Sequence, residues 1–182
     1  MLSVKSNSIE LKSFLTQTNI NTFNNFIIDK IDDVYFMSNY LTFIFFYSGG
    51  GLLEINFIDK LIQQNKYKKI NIFIIDDFFY NLKKKILVKN HISNKSNNIN
   101  CKIFSNLDDF YHYITCNPCR IDFLIGTNDF YKKLSSIDND FWNLFIHKLV
   151  GSRGVYDKDI YILNQYKYDI DIKILSIFSL IN

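Results

Sequence analysis

Two apolar runs, separated by a glycine-rich turn and an amphipathic stretch, dominate the hydropathy pattern of the chain. The first run covers residues 43–47 and the second covers residues 70–75, and neither contains a charged side chain. Apolar runs of this length, the second interrupted only by Asn71, are typical of strands that are buried on both faces. Between them, from Leu52 to Gln64, apolar residues recur at helical spacing. The order predicts a βαβ unit, with two parallel strands joined by a right-handed crossover.

The remaining pattern continues this alternation. Helices are expected at 8–17, 23–37, 107–115 (with Asn106 as N-cap) and, as one helix or two, within 130–150. Further strands are expected at 101–104, 121–125 and 160–163, and a terminal strand within 170–181 is expected to pair antiparallel at one edge. Residues 78–88 fit either a helix or an irregular segment, and residues 90–100 read as a polar, Asn-rich loop.

Alternating helices and strands predict the α/β class. We expect a single Rossmann-like domain over residues 1–182, with a mostly parallel, doubly wound sheet of five or six strands. Residues 1–40 are expected to form an N-terminal helical cap on that sheet. A length of 182 residues agrees with one domain, and 48% hydrophobic with 21% charged residues excludes a disordered chain.

The amino-acid composition is strongly biased, which weakens any inference of function from the abundance of one residue type. Alanine is absent, glutamate occurs only at Glu10 and Glu54, and Ile, Asn, Lys, Phe and Tyr dominate. This is the bias that AT-rich codons produce, so an abundance of lysine or aromatic residues does not by itself indicate a function. The net charge of +3 is too small to indicate nucleic-acid binding. A weaker indication is the two lysine groups, 66–69 and 83–85, with Tyr67 and Tyr80 available for base stacking.

Hydropathy and cysteine content also bear on the compartment. No apolar run approaches the roughly 18–20 residues that cross a bilayer, and residues 1–10 do not resemble a signal peptide. Three cysteines, an odd number, do not make a disulfide framework. We therefore expect a soluble, cytoplasmic protein without a membrane partner.

The glycine turn and the acid after the second strand are the candidate binding elements. A helix amino end can hold a phosphate, sugar or carboxylate, and glycine lets the backbone approach it closely. Gly49 and Gly51 occupy the first two places of G-x-G-x-x-G, and Glu54 stands at the third. Asp76, followed by Asp77, ends the next strand, where an acid meets ribose hydroxyls in dinucleotide-binding folds. This pattern predicts a nucleotide-like ligand.

Structural explanations for the same residues remain open. The glycines fit a tight strand-to-helix turn kept for packing, and the two aspartates fit a solvated strand end. Glu54 lies in the first turn of the predicted helix, where a carboxylate interacts favourably with the helix dipole without any ligand.

The strand, glycine turn, helix, strand and acid together resemble the S-adenosylmethionine-dependent methyltransferase superfamily. The segment 47–54 is especially similar to the glycine-rich turn of methyltransferase-like proteins of protists and large DNA viruses. The resemblance implies a Rossmann-like fold that binds S-adenosylmethionine, with the acid on the ribose diol and the segment after the third strand near adenine. The implied cofactor-binding residues are Ser48, Gly49, Gly50, Gly51, Glu54, Asp76, Asp77, Asn106 and Asp108. The implied substrate-binding residues, after the fourth strand, are Asn128 and Asp129. No particular methyl acceptor or oligomeric state is implied.

Two departures from the family pattern keep a second hypothesis open. The family usually has an acid in or just before the glycine turn, and this chain has Phe45, Phe46 and Tyr47 there. The segment after the fifth strand is also too short for the family's usual extra helix and hairpin. A catalytically inactive relative, acting as a binding or structural module, therefore competes with an active methyltransferase. A nicotinamide- or flavin-dependent enzyme is a third reading.

Other constellations have less support. Cys116 and Cys119 form a C-x-x-C, but they are expected to end a helix and precede a strand, whereas redox pairs open a helix. A zinc site would need Cys101 or His112 in addition, and a second C-x-x-C is missing. Two buried thiols are the simpler reading. No G-x-S-x-G segment supports a hydrolase.

Overall fold

The structure, a computed structural model, describes residues 17–34, 40–47, 51–64, 66–117, 119, 121–127, 159–165 and 170–176. Its α-helices are α1 (Gln17–Val34), α2 (Leu52–Gln64), α3 (Leu82–Ser93) and α4 (Leu107–Cys116), with a short 3₁₀ helix over Asp77–Tyr80. Its strands are β1 (Tyr40–Phe46), β2 (Lys69–Ile75), β3 (Ile99–Phe104), β4 (Phe123–Thr127), β5 (Asp159–Gln165) and β6 (Ile170–Ser176).

The strands form one sheet in the order β3-β2-β1-β4-β5-β6. The pairs β2–β3, β1–β2, β1–β4 and β4–β5 are parallel, and β6 pairs antiparallel with β5. In register, Phe46 of β1 lies between Ile75 of β2 and Gly126 of β4. The carboxyl ends of these three strands therefore meet at the same edge of the sheet.

One face of the sheet packs on α1, α2 and α3. Phe43 and Phe45 of β1 point to this face, where each makes an edge-on contact with Phe57 of α2, with ring centroids 5.0 and 5.4 Å apart. Strands β2 and β3 contribute alternate side chains, and α1 and α3 complete the same apolar core. Helix α1 contributes an apolar stripe at three- and four-residue spacing, namely Ile20, Phe23, Ile27 and Ile31.

The opposite face packs on α4. Phe46 of β1 and Phe73 of β2 contact Phe110 of α4, with ring centroids 6.4 and 5.7 Å apart. Phe104 of β3 lies 5.3 Å from the same ring. Because α4 connects β3 to β4 on this face, the chain changes both its face and its direction across the sheet after β3. Helices therefore cover both faces.

The α/β class and the parallel pairing of β1, β2, β3 and β4 confirm the sequence prediction. Asn106 caps α4 as predicted. Residues 90–93 were predicted as loop but belong to α3, and the first strand residues of β3 are Ile99 and Asn100. Within the described residues, no helix is long and apolar enough to span a bilayer.

Other predicted segments have different bounds in the structure or lie outside the described residues. The described part of α1 starts at Gln17, six residues before the predicted 23–37 helix, and ends at Val34. Residues 8–16 of the predicted 8–17 helix, the predicted helical region 130–150, and the last residues of the 170–181 strand lie outside the described residues.

Candidate functional site

The carboxyl edge of the sheet holds several of the predicted site residues that the structure describes. Tyr47 follows β1, Asp76 follows β2, and Thr127 ends β4. Strand order reverses between β1 and β4, since the chain moves from β1 to β2 and β3 and then returns to the other side of β1. In open α/β sheets, ligands bind outside the carboxyl ends of the strands at such a reversal. The carboxyl edge beside β1 is the candidate functional site.

Gly51 is held by its conformation and by its neighbours. Its φ is +87°, in the left-handed region that favours glycine, and its carbonyl accepts the hydrogen bond from Ile55 that begins α2. A Cβ at this position would lie 2.7 Å from Val88 Cγ2 and 3.4 Å from Phe79 Cζ. The turn therefore needs glycine for packing against α3, whether or not a ligand binds.

Tyr47 has an unusual backbone for its residue type. Its φ is +47°, and its N–H donates to the Ile75 carbonyl at 2.7 Å, so it extends the β1–β2 ladder by one bond. A positive φ at a bulky residue is uncommon, and such residues cluster at binding and catalytic sites. Burial, followed by the nearby carboxylates of Asp77 and Asp76, raises the pKa of the Tyr47 phenol to about 12.

Asp76 has a structural task in the described fold. Its side chain is only 4% exposed, and its Oδ1 accepts a hydrogen bond at 2.9 Å from the N–H of Phe78, which caps the 3₁₀ helix. Its own N–H donates to the Phe104 carbonyl at 3.1 Å. Asp77, the next residue, is exposed. Of the two predicted ribose ligands, Asp77 is thus the one open to solvent.

Glu54 lies in the first turn of α2, as predicted, but it is completely buried. It is close to Cys101 of β3: burial raises the pKa of the Cys101 thiol to about 12, and Glu54 is the second cause. Lys89 of α3 acts on the same thiol in the opposite direction. The Glu54 carboxyl group is therefore inside the protein, close enough to Cys101 of β3 to affect the pKa of its thiol.

Asn106 and Asp108 lie at the amino end of α4. The Asn106 Oδ1 accepts from the Asp109 N–H at 2.8 Å, and its Nδ2 donates to Asp109 Oδ2 at 2.9 Å, which together cap the helix. Asp108 is exposed and contributes to the raised pKa of Tyr47. The fold thus brings Asp76, Asp77 and Asp108 around one phenol.

The other predicted site residues, Ser48, Gly49, Gly50, Asn128 and Asp129, lie outside the described residues. Tyr47 was missed as a site residue because it follows four apolar residues and reads as the end of the strand. The only sequence signal for it is its position directly before the glycine turn.

The structure also places the cysteine pair and the two lysine groups that the sequence analysis considered. Cys116 ends α4 and Cys119 precedes β4, as predicted, and burial followed by Asp122 raises the pKa of Cys119. The expectation of two buried thiols is wrong, because Cys116, at the end of α4, is exposed and Cys119 is only half-buried. Among the described residues, no three His, Cys, Asp or Glu side chains are placed to hold a metal ion. The lysine groups 66–69 and 83–85 lie at opposite ends of β2, about 20 Å of strand apart, so they do not form one face.

The chemistry available at the edge is hydrogen bonding to a polar, hydroxyl-bearing ligand. Carboxylates accept hydrogen bonds from sugar hydroxyls, a phenol accepts and donates, and the amino end of α2 favours an anionic group. Comparison with protein-family models and with curated proteins gives no match for this chain.

Proposed function

We propose that this chain is a Rossmann-like, S-adenosylmethionine-binding protein of the methyltransferase type, with its cofactor at the carboxyl edge of the sheet. One observation carries the proposal. Gly51, directly before α2, and the acids Asp76 and Asp77 follow the neighbouring parallel strands β1 and β2 at the same edge of the sheet, where the Tyr47 N–H donates to the Ile75 carbonyl. A helix amino end beside a strand-end carboxylate is the arrangement that binds the two ends of a nucleoside cofactor.

The topology supports this reading. A strand order of 3-2-1-4-5, with helices on both faces and a reversal beside β1, is that of doubly wound nucleotide-binding sheets. The six strands of the described sheet, with β6 antiparallel to β5, agree with a mostly parallel, Rossmann-like sheet that carries one antiparallel strand.

The proposed roles follow from position. The amino end of α2, beside Gly51, receives the carboxylate of the methionine part. Asp77, assisted by Asp76, accepts hydrogen bonds from the ribose hydroxyls, and Asn106 and Asp108 lie on the adenine side. Asn128 and Asp129 follow β4 and would contact the methyl acceptor. Methyl transfer depends chiefly on aligning donor and acceptor, so this function needs no catalytic triad.

A specific observation also favours a non-catalytic binding or structural module. The space beside Gly51 is occupied by Val88 and by the fully buried Phe79. A glycine kept for packing is what a fold that had lost its cofactor would retain. On this alternative, the sheet edge is a rigid support and S-adenosylmethionine does not bind.

Calorimetric titration with S-adenosylhomocysteine separates the two functions. We expect the wild-type chain to bind, and Asp77→Asn to bind about tenfold or more weakly, because a hydrogen bond to a charged group contributes about 1.5–3 kcal/mol. Asp76→Asn retains an oxygen for the Phe78 N–H, so it tests the Asp76 charge without removing the cap. Asp29→Asn, an exposed position on α1, is the matched control and should bind like wild type.

Absence of binding by the folded wild-type chain would remove the proposal and leave the non-catalytic module. Binding that is unchanged in both aspartate variants would place the ligand away from this edge and contradict the proposed geometry. A rise in melting temperature with a nicotinamide or flavin cofactor, and none with S-adenosylhomocysteine, would favour the third reading.

A further inference from the structure

The outer edge of β3 presents backbone groups that no described strand pairs with. Asn98 and Phe104 direct their carbonyls to β2, where they accept from the N–H groups of Ile70 and Asp76. In a parallel pair, residues alternate between the two sides of the strand. Cys101 and Ile103 therefore direct their N–H and C=O groups away from β2. Within the described sheet, β3 is an edge strand with β2 as its one neighbour.

A cavity of about 210 Å³ lies at this edge, between α3 on one face and α4 on the other. Its lining includes Lys85, Lys89, Cys101, Lys102, Ile103 and Tyr113. The volume is below the roughly 300–1,000 Å³ of small-molecule pockets. It therefore suits a side chain of a larger partner better than a whole cofactor.

The charge at this edge is positive. Lys85 and Lys89, one turn apart on α3, and Lys102 on β3 form no ion pair with any carboxylate of the described residues. A lysine on an edge strand does not by itself indicate a binding site, because it can be there simply to prevent aggregation. That purpose explains Lys102 but not the two lysines that α3 directs to the same cavity. Three cations around one concave surface raise the local concentration of an anionic partner.

The two sides of the edge differ in character. The α3 side carries Lys85 and Lys89. The α4 side carries the half-buried rings of Phe104 and Tyr113, with the Lys102 Nζ 4.6 Å from the Tyr113 ring centroid. Since side chains of a strand alternate between its faces, a segment alternating acidic and apolar residues would match both sides at once.

Exposed apolar side chains extend the surface beyond the cavity. Leu82 is 69% exposed and Ile86 is 56% exposed, and they lie one turn apart on the outer side of α3. Together with the neighbouring lysines, they favour a partner that covers an area of several side chains over a small ion.

We propose that the outer edge of β3 is a docking site for an extended acidic peptide segment of another protein, which adds to the sheet as a strand. The segment pairs with the outward backbone groups of Cys101 and Ile103, places its carboxylates toward Lys85 and Lys89, and places its apolar side chains against Phe104 and Tyr113. Outward backbone donors and acceptors in register match a peptide backbone, whereas a nucleic-acid backbone has no N–H groups to pair with them. The site is separate from the proposed cofactor site.

Fluorescence anisotropy with a capped, labelled peptide of alternating valine and glutamate, about eight residues long, tests the proposal. We expect saturable binding that Lys85→Gln/Lys89→Gln weakens by about tenfold, the factor expected when exposed charge pairs and their local field are lost. Lys68→Gln/Lys69→Gln removes the same charge at the far end of β2 and should change the affinity by less than about twofold, because salt screens distant charges.

Hydrogen exchange gives the second readout. Peptide binding should slow exchange at the Cys101 and Ile103 amides, a change that a purely electrostatic contact does not produce. The same peptide with its alternate amides N-methylated cannot add as a strand, and it should lose binding.

Four outcomes would overturn the proposal. These are no saturable binding, equal binding of the N-methylated peptide, equal weakening by the two lysine double variants, or tighter binding of a single-stranded deoxythymidine oligonucleotide without amide protection. The last would assign the lysines to nucleic acid instead.

Discussion

Position 51 shows how one residue joins local conformation to tertiary packing. Its φ of +87° disfavours residues with a side chain. A Cβ atom at this position would also lie too close to Val88 Cγ2, so that even a methyl group would require Val88 to move. The sequence suggested glycine for ligand approach or for packing, and the structure gives the packing reason in full. The spacing of the glycines carries no information about Val88, which lies 37 positions away, so this contact was not predictable from the sequence.

We expect Gly51→Ala to lower the free energy of unfolding by about 2–4 kcal/mol, from backbone strain of about 1–3 kcal/mol plus overpacking against Val88. Urea denaturation of the wild-type chain and the variant measures this change in the free energy of unfolding. In Gly51→Ala/Val88→Ala the methyl clash is removed, so the double variant should be less destabilised than the sum of the two single variants. Strict additivity would mean that the two side chains do not collide.

Tyr47 and Cys101 make stability depend on alkaline pH. The phenol and thiol have ordinary pKa values of 10.0 and 9.0, and burial is the main cause that raises each to about 12 in the folded chain. The folded state therefore keeps these protons when the unfolded state has lost them. Their contribution to stability is complete below pH 9 and is lost as the pH rises toward 12.

Urea denaturation between pH 8 and 11, with a reductant present, should show stability falling with pH in the wild-type chain. The fall should be shallower in Tyr47→Phe and in Cys101→Ala, since each variant lacks one of the groups that titrate. An unchanged slope in both variants would contradict the assignment of the two protons.

At the scale of elements, predictability followed the strength of the apolar pattern. Strands β1 and β2 are mostly apolar and have several fully buried residues, and both were predicted within a few residues. For α3 the sequence left a helix or an irregular segment open over residues 78–88 and predicted a loop from residue 90, because only Val88 and Ile92 are buried while Leu82 and Ile86 face solvent. Helix α3 is stabilised by its contacts with β3 and by the side-chain cap from Asn81. Its own apolar periodicity is too weak to indicate a helix.

The same distinction applies to the candidate site. The sequence placed Gly51 and Asp76 correctly at the ends of neighbouring strands because strand–helix–strand order determines that edge. It did not reveal that Asp76 caps a 3₁₀ helix or that Glu54 is buried, since both depend on contacts made after the chain folds back.

Strands β1 and β4 are joined by a side chain as well as by their ladder. The Thr42 N–H donates to Asp122 Oδ2 at 2.9 Å, and the Asp122 N–H donates to the Thr42 carbonyl at 2.9 Å. Both residues are buried. This reciprocal pair fixes the start of β4 beside β1.

Asp122→Ala should lower the free energy of unfolding by about 1–3 kcal/mol, the cost of leaving the Thr42 N–H buried without an acceptor. Asp122→Asn retains an amide oxygen at the same place and should cost less. Chemical denaturation of both variants checks this, and equal losses would show that the acceptor oxygen is not what matters.

For the whole molecule, strand order was the part that the pattern left undetermined. Alternating helices and strands predict parallel pairing, but nothing in the spacing says that β4 pairs with β1 and not with β3. The order depends on contacts between segments far apart in the chain, such as that of Phe46 in β1 with Phe110 in α4 and that of Thr42 with Asp122. Helix α4 covers the second face, and β4 completes the sheet beside β1.

This arrangement has a consequence for how the chain is made. Thr42 and Asp122, which meet at the β1–β4 pair, are 80 positions apart. At about 5–20 residues per second of translation, β1 waits roughly 4–16 seconds on the ribosome before its second neighbour emerges. During that interval the most apolar strand has an open flank, so nascent chains of this protein should need chaperone protection most between the synthesis of β3 and that of β4.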